Sequence, residues 1–288
     1  ETGLYCEVLD EARLAELGMG ALLGVAQGSR QPPRLIILEH RGAAPQEAPY
    51  VVIGKGITFD SGGISLKPGE GMDRMKDDMA GAAATLGVLR AAALLRLPLN
   101  VVGLIPATEN LPDGKAYKPG DVLKAMSGLT IEVISTDAEG RLILADALSY
   151  AKRYQPRAVV DLATLTGGCV VALGHVASGL MGNDEALLQA LRQAATQSGE
   201  LTWPLPLWDD YAEQIKSDMA DLKNSGGREA STIIGGMFLK RFVEGYPWAH
   251  VDIAGMAWSD KGRYDVSKGA TGYGVRMLVQ WLRNAAMA

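Results

Sequence analysis

Ser135-Thr136-Asp137-Ala138-Glu139-Gly140-Arg141-Leu142 is the stretch on which the fold turns. The apolar run Thr130–Ile134 precedes it and the helix-like run Leu142–Tyr154 follows. Two carboxylates, Asp137 and Glu139, and a cation, Arg141, therefore stand where a buried strand is predicted to turn into a helix. In α/β proteins ligands gather at that place, the carboxyl end of a strand. Close-set carboxylates there suit hard cations better than they suit a solvated loop.

Working outward, further strand-like runs appear at Arg34–Glu39, Tyr50–Ile53, Asn100–Ile105, Arg157–Leu162 and Trp248–Ile253. Several are unbroken Val/Ile/Leu runs, the pattern of strands buried on both faces of a parallel sheet. Helical runs lie between many of them: Met72–Leu95, Leu142–Tyr154, Glu185–Ser198, Asp209–Ser217, Thr232–Val243 and Gly274–Ala285. This alternation predicts an α/β fold, a mixed, mostly parallel sheet flanked by helices on both faces. Residues 1–33, a polar helix and a loop closing at Pro32-Pro33, read as a peripheral segment ahead of a main domain at 34–288.

The length of 288 residues suits one large α/β domain. Hydrophobic residues at 48% and charged residues at 21% argue against disorder. A net charge of −5 disfavours a nucleic-acid surface. Cys6 and Cys169 have no metal-type spacing and cannot build a disulfide framework, which points to a reducing, cytoplasmic setting. Charges such as Arg90, Arg96, Asp161 and His175 break the most apolar stretches, so no membrane span is predicted. The chain opens on Glu1-Thr2-Gly3 rather than Met, as a fragment or processed form would.

Three further segments concentrate Gly, carboxylate and Lys. Gly54-Lys55-Gly56 runs on through Asp60-Ser61-Gly62-Gly63 to Lys67-Pro68; Met72–Gly81 carries Asp73, Asp77 and Asp78; and Asp161 leads into Thr164-Leu165-Thr166-Gly167-Gly168. The glycine-rich segment fails three tests. Phe59 stands where a dinucleotide fingerprint needs its third Gly, Gly56 breaks a phosphate loop, and Gly63-Ile64-Ser65-Leu66-Lys67 is no nucleophile elbow. With only His40, His175 and His250 available, any metal site must rest on oxygen ligands. Carboxylates can bridge two divalent cations roughly 3.5–4 Å apart. A lysine beside them can polarise a carbonyl as a cation or ligate as a neutral amine. Asp77 and Asp78 are rivals, since neighbours on a helix differ by about 100° of rotation. His175 and His250 read as packed or hydrogen-bonded residues, Asp161 as structural, and Asp113 and Asp121 as turn residues.

Together these segments resemble the leucine aminopeptidase (cytosol aminopeptidase) family of dinuclear metallopeptidases. Thr136–Leu142 matches its signature, although Ser135 stands where the family usually has Asn. Lys55 through Asp60, Gly62-Gly63 and Lys67-Pro68 match a second block, and Met75 through Asp78, Met79 and Gly81 a third. The likeness runs from about residue 20 to the end and implies the catalytic domain without the usual N-terminal domain, the main domain at 34–288 being catalytic.

The resemblance implies two divalent ions, Mn or Zn with Mg or Co as alternatives, held by Lys55, Asp60, Asp78, Asp137 and Glu139. Asp60 and Glu139 would bridge them, and the likeness selects Asp78 over Asp77. A water shared by the ions would attack the scissile carbonyl, polarised by Lys67, while a bicarbonate at Arg141 serves as general base. Met75, Thr164, Gly167 and Ala254 would line a pocket for Leu-like or Met-like N-terminal side chains, and the Leu165 carbonyl would accept from the substrate amine. The partners implied are peptides with a free N-terminus and five further copies in a homohexamer. A non-catalytic scaffold is the rival reading, opposed by every matched ligand position being filled. A nucleic-acid-binding regulator is another, opposed by the acidic balance.

Overall fold

The computed structural model describes residues 2–262 and 266–287. Its strands are β1 (Tyr5–Leu9), β2 (Arg34–Arg41), β3 (Tyr50–Gly54), β4 (Gly56–Asp60), β5 (Asn100–Asn110), β6 (Val122–Lys124), β7 (Thr130–Glu132), β8 (Ala158–Ala163), β9 (Ser178–Gly182), β10 (Thr202–Pro204), β11 (Leu222–Lys223), β12 (Trp248–Asp252), β13 (Trp258–Ser259) and β14 (Gly269–Ala270). The helices are α1 (Glu11–Glu16), α2 (Gly20–Ala26), α3 (Ala80–Leu94), α4 (Glu139–Ala151), α5 (Gly167–Leu173), α6 (Glu185–Ser198), α7 (Ser231–Lys240) and α8 (Val275–Ala285).

Nine strands form the main sheet in the order β1-β2-β5-β3-β8-β12-β9-β10, with β4 paired to β5. The central pairs β5–β3, β3–β8 and β8–β12 are parallel, while β1–β2, β2–β5 and β12–β9 are antiparallel. The unbroken apolar runs are explained by burial on both sides. On β8, Val159 and Ala163 face a layer containing residues of α2, α4 and α7, and Val160 and Leu162 face one containing residues of α3, α6 and α8. Each fully buried Leu or Ile contributes about 1.5–3 kcal/mol to holding these layers together. All thirteen residues of α4 are buried, so this helix runs through the interior rather than over it.

Several sequence expectations are corrected. The run 130–134 was expected as a buried strand feeding the signature. It is instead a strand of three residues, β7, in a separate sheet ordered β11-β7-β6. Its composition explains this: Ile131 and Val133 are buried while Ile134 is exposed, an alternating pattern for a sheet with one covered face. The segment 1–33 was expected to be peripheral, yet β1 forms an edge of the main sheet. Met19, Ala21, Leu22 and Val25 are fully buried against α4 and its neighbours. The expected helix 72–95 is split into a 3-10 turn at 72–77 and α3 from residue 80. The run 209–217 likewise forms a 3-10 turn at 209–215.

Candidate metal centre

The strands of the parallel core deliver their ends to one place. Lys55 directly follows β3, Asp60 closes β4, Thr164 follows β8 and Ala254 lies just past β12. The fifth contribution is the start of α4, which brings Glu139 and, just before it, Asp137.

Tight backbone packing makes the convergence possible. Gly62 adopts φ +88°, and a Cβ there would meet the Ser65 carbonyl at 2.5 Å. Thr136 sews this loop to the signature: its Oγ1 donates to Gly62 O at 2.6 Å and accepts from Ser65 N at 2.8 Å. Gly140 leaves room for Lys55, whose Cε would lie 2.6 Å from an added Cβ.

Two ammonium groups organise the cluster. Lys55 Nζ lies 2.8 Å from both Asp78 and Glu139 Oε1, and donates to Thr164 O at 2.9 Å. Lys67 Nζ lies 2.8 Å from Asp60 Oδ2 and also pairs with Asp137. The other Asp60 oxygen accepts from Asn110 Nδ2 at 2.8 Å and Gly62 N at 2.9 Å, and Thr164 Oγ1 donates to Asp78 at 2.6 Å.

Electrostatic strain concentrates on Glu139. Burial pushes its carboxyl up to about 8; Lys55 pulls it down, and Asp60 and Asp78 push it up again. Burial likewise raises Asp78, to about 6, against the pull of Lys55. For Lys55 burial opposes the charged form, but Asp78, Glu139 and Asp60 outweigh it and hold the ammonium above the ordinary lysine range. Lys67 is raised in the same way by Asp60, Glu139 and Asp137.

The donor set fits divalent cations. Asp60, Asp137 and Glu139 each offer a carboxylate oxygen, all within 4.8 Å of one another. Glu139 Oε2 is buried and accepts no hydrogen bond, an arrangement that costs free energy unless a cation faces it.

One cavity of about 380 Å³ holds nearly every expected site residue. Its walls include Lys55, Asp60, Lys67, Asp78, Asp137 and Glu139, and also Met75, Thr164, Leu165, Gly167 and Ala254. Asp77 lines it as well, but of the two it is Asp78 that meets Lys55, at 2.8 Å, and accepts from Thr164. Arg141 is not part of the wall. It lies buried, Nη1 donating to Asn224 O at 2.9 Å and Nε without a partner. Burial lowers it to about 10, with Glu139 and Asp252 opposing. It forms no ion pair with Glu139, whose Oε1 faces Lys55.

A sequence model of the cytosol aminopeptidase family, catalytic domain, matches residues 1–279. The chain belongs to the cytosol aminopeptidase family. A probable cytosol aminopeptidase of Geobacter sulfurreducens is 62% identical over 281 residues, covering 98% of this chain and 57% of that relative. The cytosol aminopeptidase of Pseudomonas aeruginosa is 56% identical over 284 residues, covering 99% of this chain and 57% of that relative. The chain thus spans little more than half the length of these curated relatives. Among solved structures, the bottromycin maturation enzyme BotP matches with a TM-score of 0.93 at 43% identity, covering 99% of this chain and 62% of that one. The same enzyme in complex with Mn matches with a TM-score of 0.94 at 43% identity, covering 99% and 63%.

Asn110, Tyr117, Asn224 and Asp146 are supporting residues that sequence reading passed over, whereas Asp161, His175 and His250 were read there as structural or hydrogen-bonded. Asn110 and Tyr117 OH both donate to Thr136 O, at 3.0 and 2.8 Å. Asn224 clasps the signature, Oδ1 accepting from Ile134 N at 2.8 Å and Nδ2 donating to Ser135 O at 2.7 Å. Asp146 stands fully buried, accepting from Leu22 N and Met126 N at 2.8 Å each. His250 and Trp248 both point at Asp161, at 2.5 and 2.7 Å, inside the sheet layer. His175 reaches the cavity wall and donates through Nδ1 to Gly255 O at 2.7 Å. None of the described helices is long and apolar enough to cross a membrane.

Proposed function

We propose that this chain is the catalytic domain of a dinuclear-metal aminopeptidase that removes N-terminal residues, Leu-like and Met-like ones preferred. The observation that carries the reading is the cluster of four carboxylates and two lysines lining one cavity, with Lys55, Asp60, Asp78 and Glu139 buried and Glu139 Oε2 unpartnered.

Asp60, Asp137 and Glu139 would hold one ion, and Lys55, Asp60, Asp78 and Glu139 the other, with Asp60 and Glu139 shared. Lys55 would ligate as a neutral amine, its proton going to solvent because nearby cations disfavour the ammonium form. The ions would supply Lewis acidity and ease the loss of a proton from water. Mn is favoured by the Mn complex of BotP, and oxygen-rich donors also take Zn, Mg or Co.

Lys67 keeps part of its side chain open to the cavity, so its ammonium can donate to the scissile carbonyl oxygen as negative charge builds there. The Leu165 carbonyl accepts from the free substrate amine, which would explain a need for an unblocked N-terminus. Met75, Thr164, Gly167 and Ala254 enclose the first side chain. Arg141, with its buried, unpartnered Nε, would hold a bicarbonate that takes up the proton. A homohexamer working in the cytoplasm completes the proposal, on the family likeness.

The test is release of p-nitroaniline from leucine p-nitroanilide by the full chain. Turnover is expected with added Mn²⁺ or Zn²⁺ and is expected to vanish with chelator. A metal-loaded protein without turnover would discard the aminopeptidase reading.

A further inference from the structure

Asp252, the last residue of β12, is fully buried and takes no part in the proposed metal centre. Its carboxylate is nonetheless occupied on both oxygens. Oδ1 accepts from Leu165 N and from Ala254 N, at 3.2 Å each. Oδ2 accepts from Thr166 Oγ1 at 2.7 Å. Thr166 in turn accepts from Cys169 N at 3.2 Å and so caps α5, and it meets Thr232 Oγ1 of α7 at 2.8 Å.

These bonds join two strand ends that enter the cavity from different parts of the chain. The loop after β8 carries Thr164, Leu165 and Gly167, and the turn after β12 carries Ala254. The backbone ladder between β8 and β12 runs up to Ile253 N, which donates to Ala163 O at 2.8 Å, and beyond it the Asp252 carboxylate carries the connection on to Leu165, Thr166 and Ala254. Leu165 N and Ala254 N share one acceptor, which steadies Leu165 and Ala254 against each other where both line the cavity. A charged acceptor holds such bonds more strongly than a neutral one.

We infer that Asp252 is a positioning residue for substrate binding: it fixes the two walls of the N-terminal side-chain pocket against each other without touching substrate. This rests on the aminopeptidase reading. The role is one of binding rather than chemistry, because Asp252 bonds to the pocket walls and not to Lys55, Lys67 or the carboxylates of the centre.

The experiment measures kcat and KM for leucine p-nitroanilide, together with metal content, in Mn-loaded Asp252→Ala, Asp252→Asn, Thr166→Val and Thr166→Ser. Loss of a buried hydrogen bond to a charged group is worth about 1.5–3 kcal/mol, or a factor of roughly 10–150. Asp252→Ala is expected to raise KM about tenfold or more, with kcat within about threefold and metal retained. Asp252→Asn keeps an acceptor for both backbone N–H groups and should fall between Asp252→Ala and the parent. Thr166→Val should raise KM, and Thr166→Ser should restore it. A purely structural role would lower the active fraction, and with it the apparent kcat, while leaving KM alone.

Unchanged KM in both Asp252→Ala and Thr166→Val overturns the inference. If Asp252→Ala does not fold, the Thr166 pair decides. If the parent itself shows no turnover, the aminopeptidase reading falls separately. Calorimetric binding of leucine hydroxamate to the Mn-loaded parent and Thr166→Val then decides the positioning claim: weaker binding by the variant supports it, and equal affinity overturns it.

Discussion

Replacing Gly140 with Ala sets local helix preference against the centre's packing. Gly140 is the second residue of α4, and on propensity alone an Ala there would stabilise the helix by up to about 1 kcal/mol. The added Cβ would lie 2.6 Å from Lys55 Cε and 2.8 Å from Lys55 Cδ and Nζ. Ordinary carbon contacts sit at roughly 3.5–4.0 Å, so Lys55 must retreat by about 1 Å. That shift breaks contacts of 2.8–2.9 Å to Asp78, Glu139 and Thr164 O. Overpacking of this kind costs about 1–3 kcal/mol, and each charge-assisted bond lost adds about 1.5–3 kcal/mol. The net effect is therefore destabilisation by a few kcal/mol, against the propensity. Urea unfolding of the metal-free protein should show the loss, and elemental analysis should show fewer bound ions. Gly114→Ala is the control, since a Cβ there meets nothing within 4 Å. A Gly140→Ala protein with undiminished stability and full metal content would refute the claim that this glycine exists to admit Lys55.

Asp60→Asn removes a carboxylate charge shared by both proposed ions, and elemental analysis should find metal occupancy lost. Lys67→Ala should leave the ions bound but depress turnover by about 10²–10³, the usual cost of losing an oxyanion donor; normal activity would discard that role. Asp146→Asn turns one acceptor oxygen into a donor facing a backbone N–H, so unfolding measurements should find it less stable by about 1–3 kcal/mol. Burial also pushes the Asp146 carboxyl up to about 7, well above its unfolded value. The folded state therefore holds this proton more tightly, and the stabilisation fades as pH rises from about 4 through 7. The stability gap between the parent and Asp146→Asn should shrink across that window; a gap constant with pH would show the carboxyl already ionised.

The parallel core was legible because its strands are buried on both faces, which writes unbroken runs such as Tyr50–Ile53 and Trp248–Ile253 into the sequence. The residues gathered around the cavity were legible because they come in local clusters, several to a segment. What stayed hidden is long-range pairing. Asn224 and Asp252 act on backbone groups more than eighty residues away, and no local pattern encodes such a bond. The small sheet was hidden for a related reason. β7 is short, and an alternating pentapeptide cannot announce which sheet it joins. Asp161 is paired with His250 Nδ1 and Trp248 Nε1 from the neighbouring strand, so only the fold reveals why burying its carboxyl is tolerated.

The complete burial of α4 bears on how the centre behaves in time. Helix ends usually fray, and a ligand borne on one drifts with it. Glu139 opens α4 and lines the cavity, yet it is buried, as is the whole length behind it. Amide hydrogens along this helix should exchange only when the entire domain opens, and a cation arriving there meets Glu139 on a fixed backbone, so the rearrangement falls to Lys55 and Lys67, which must give up their ion pairs with the carboxylates. Selectivity between ions then has to come from fixed spacing rather than from adjustment, as a socket discriminates by shape.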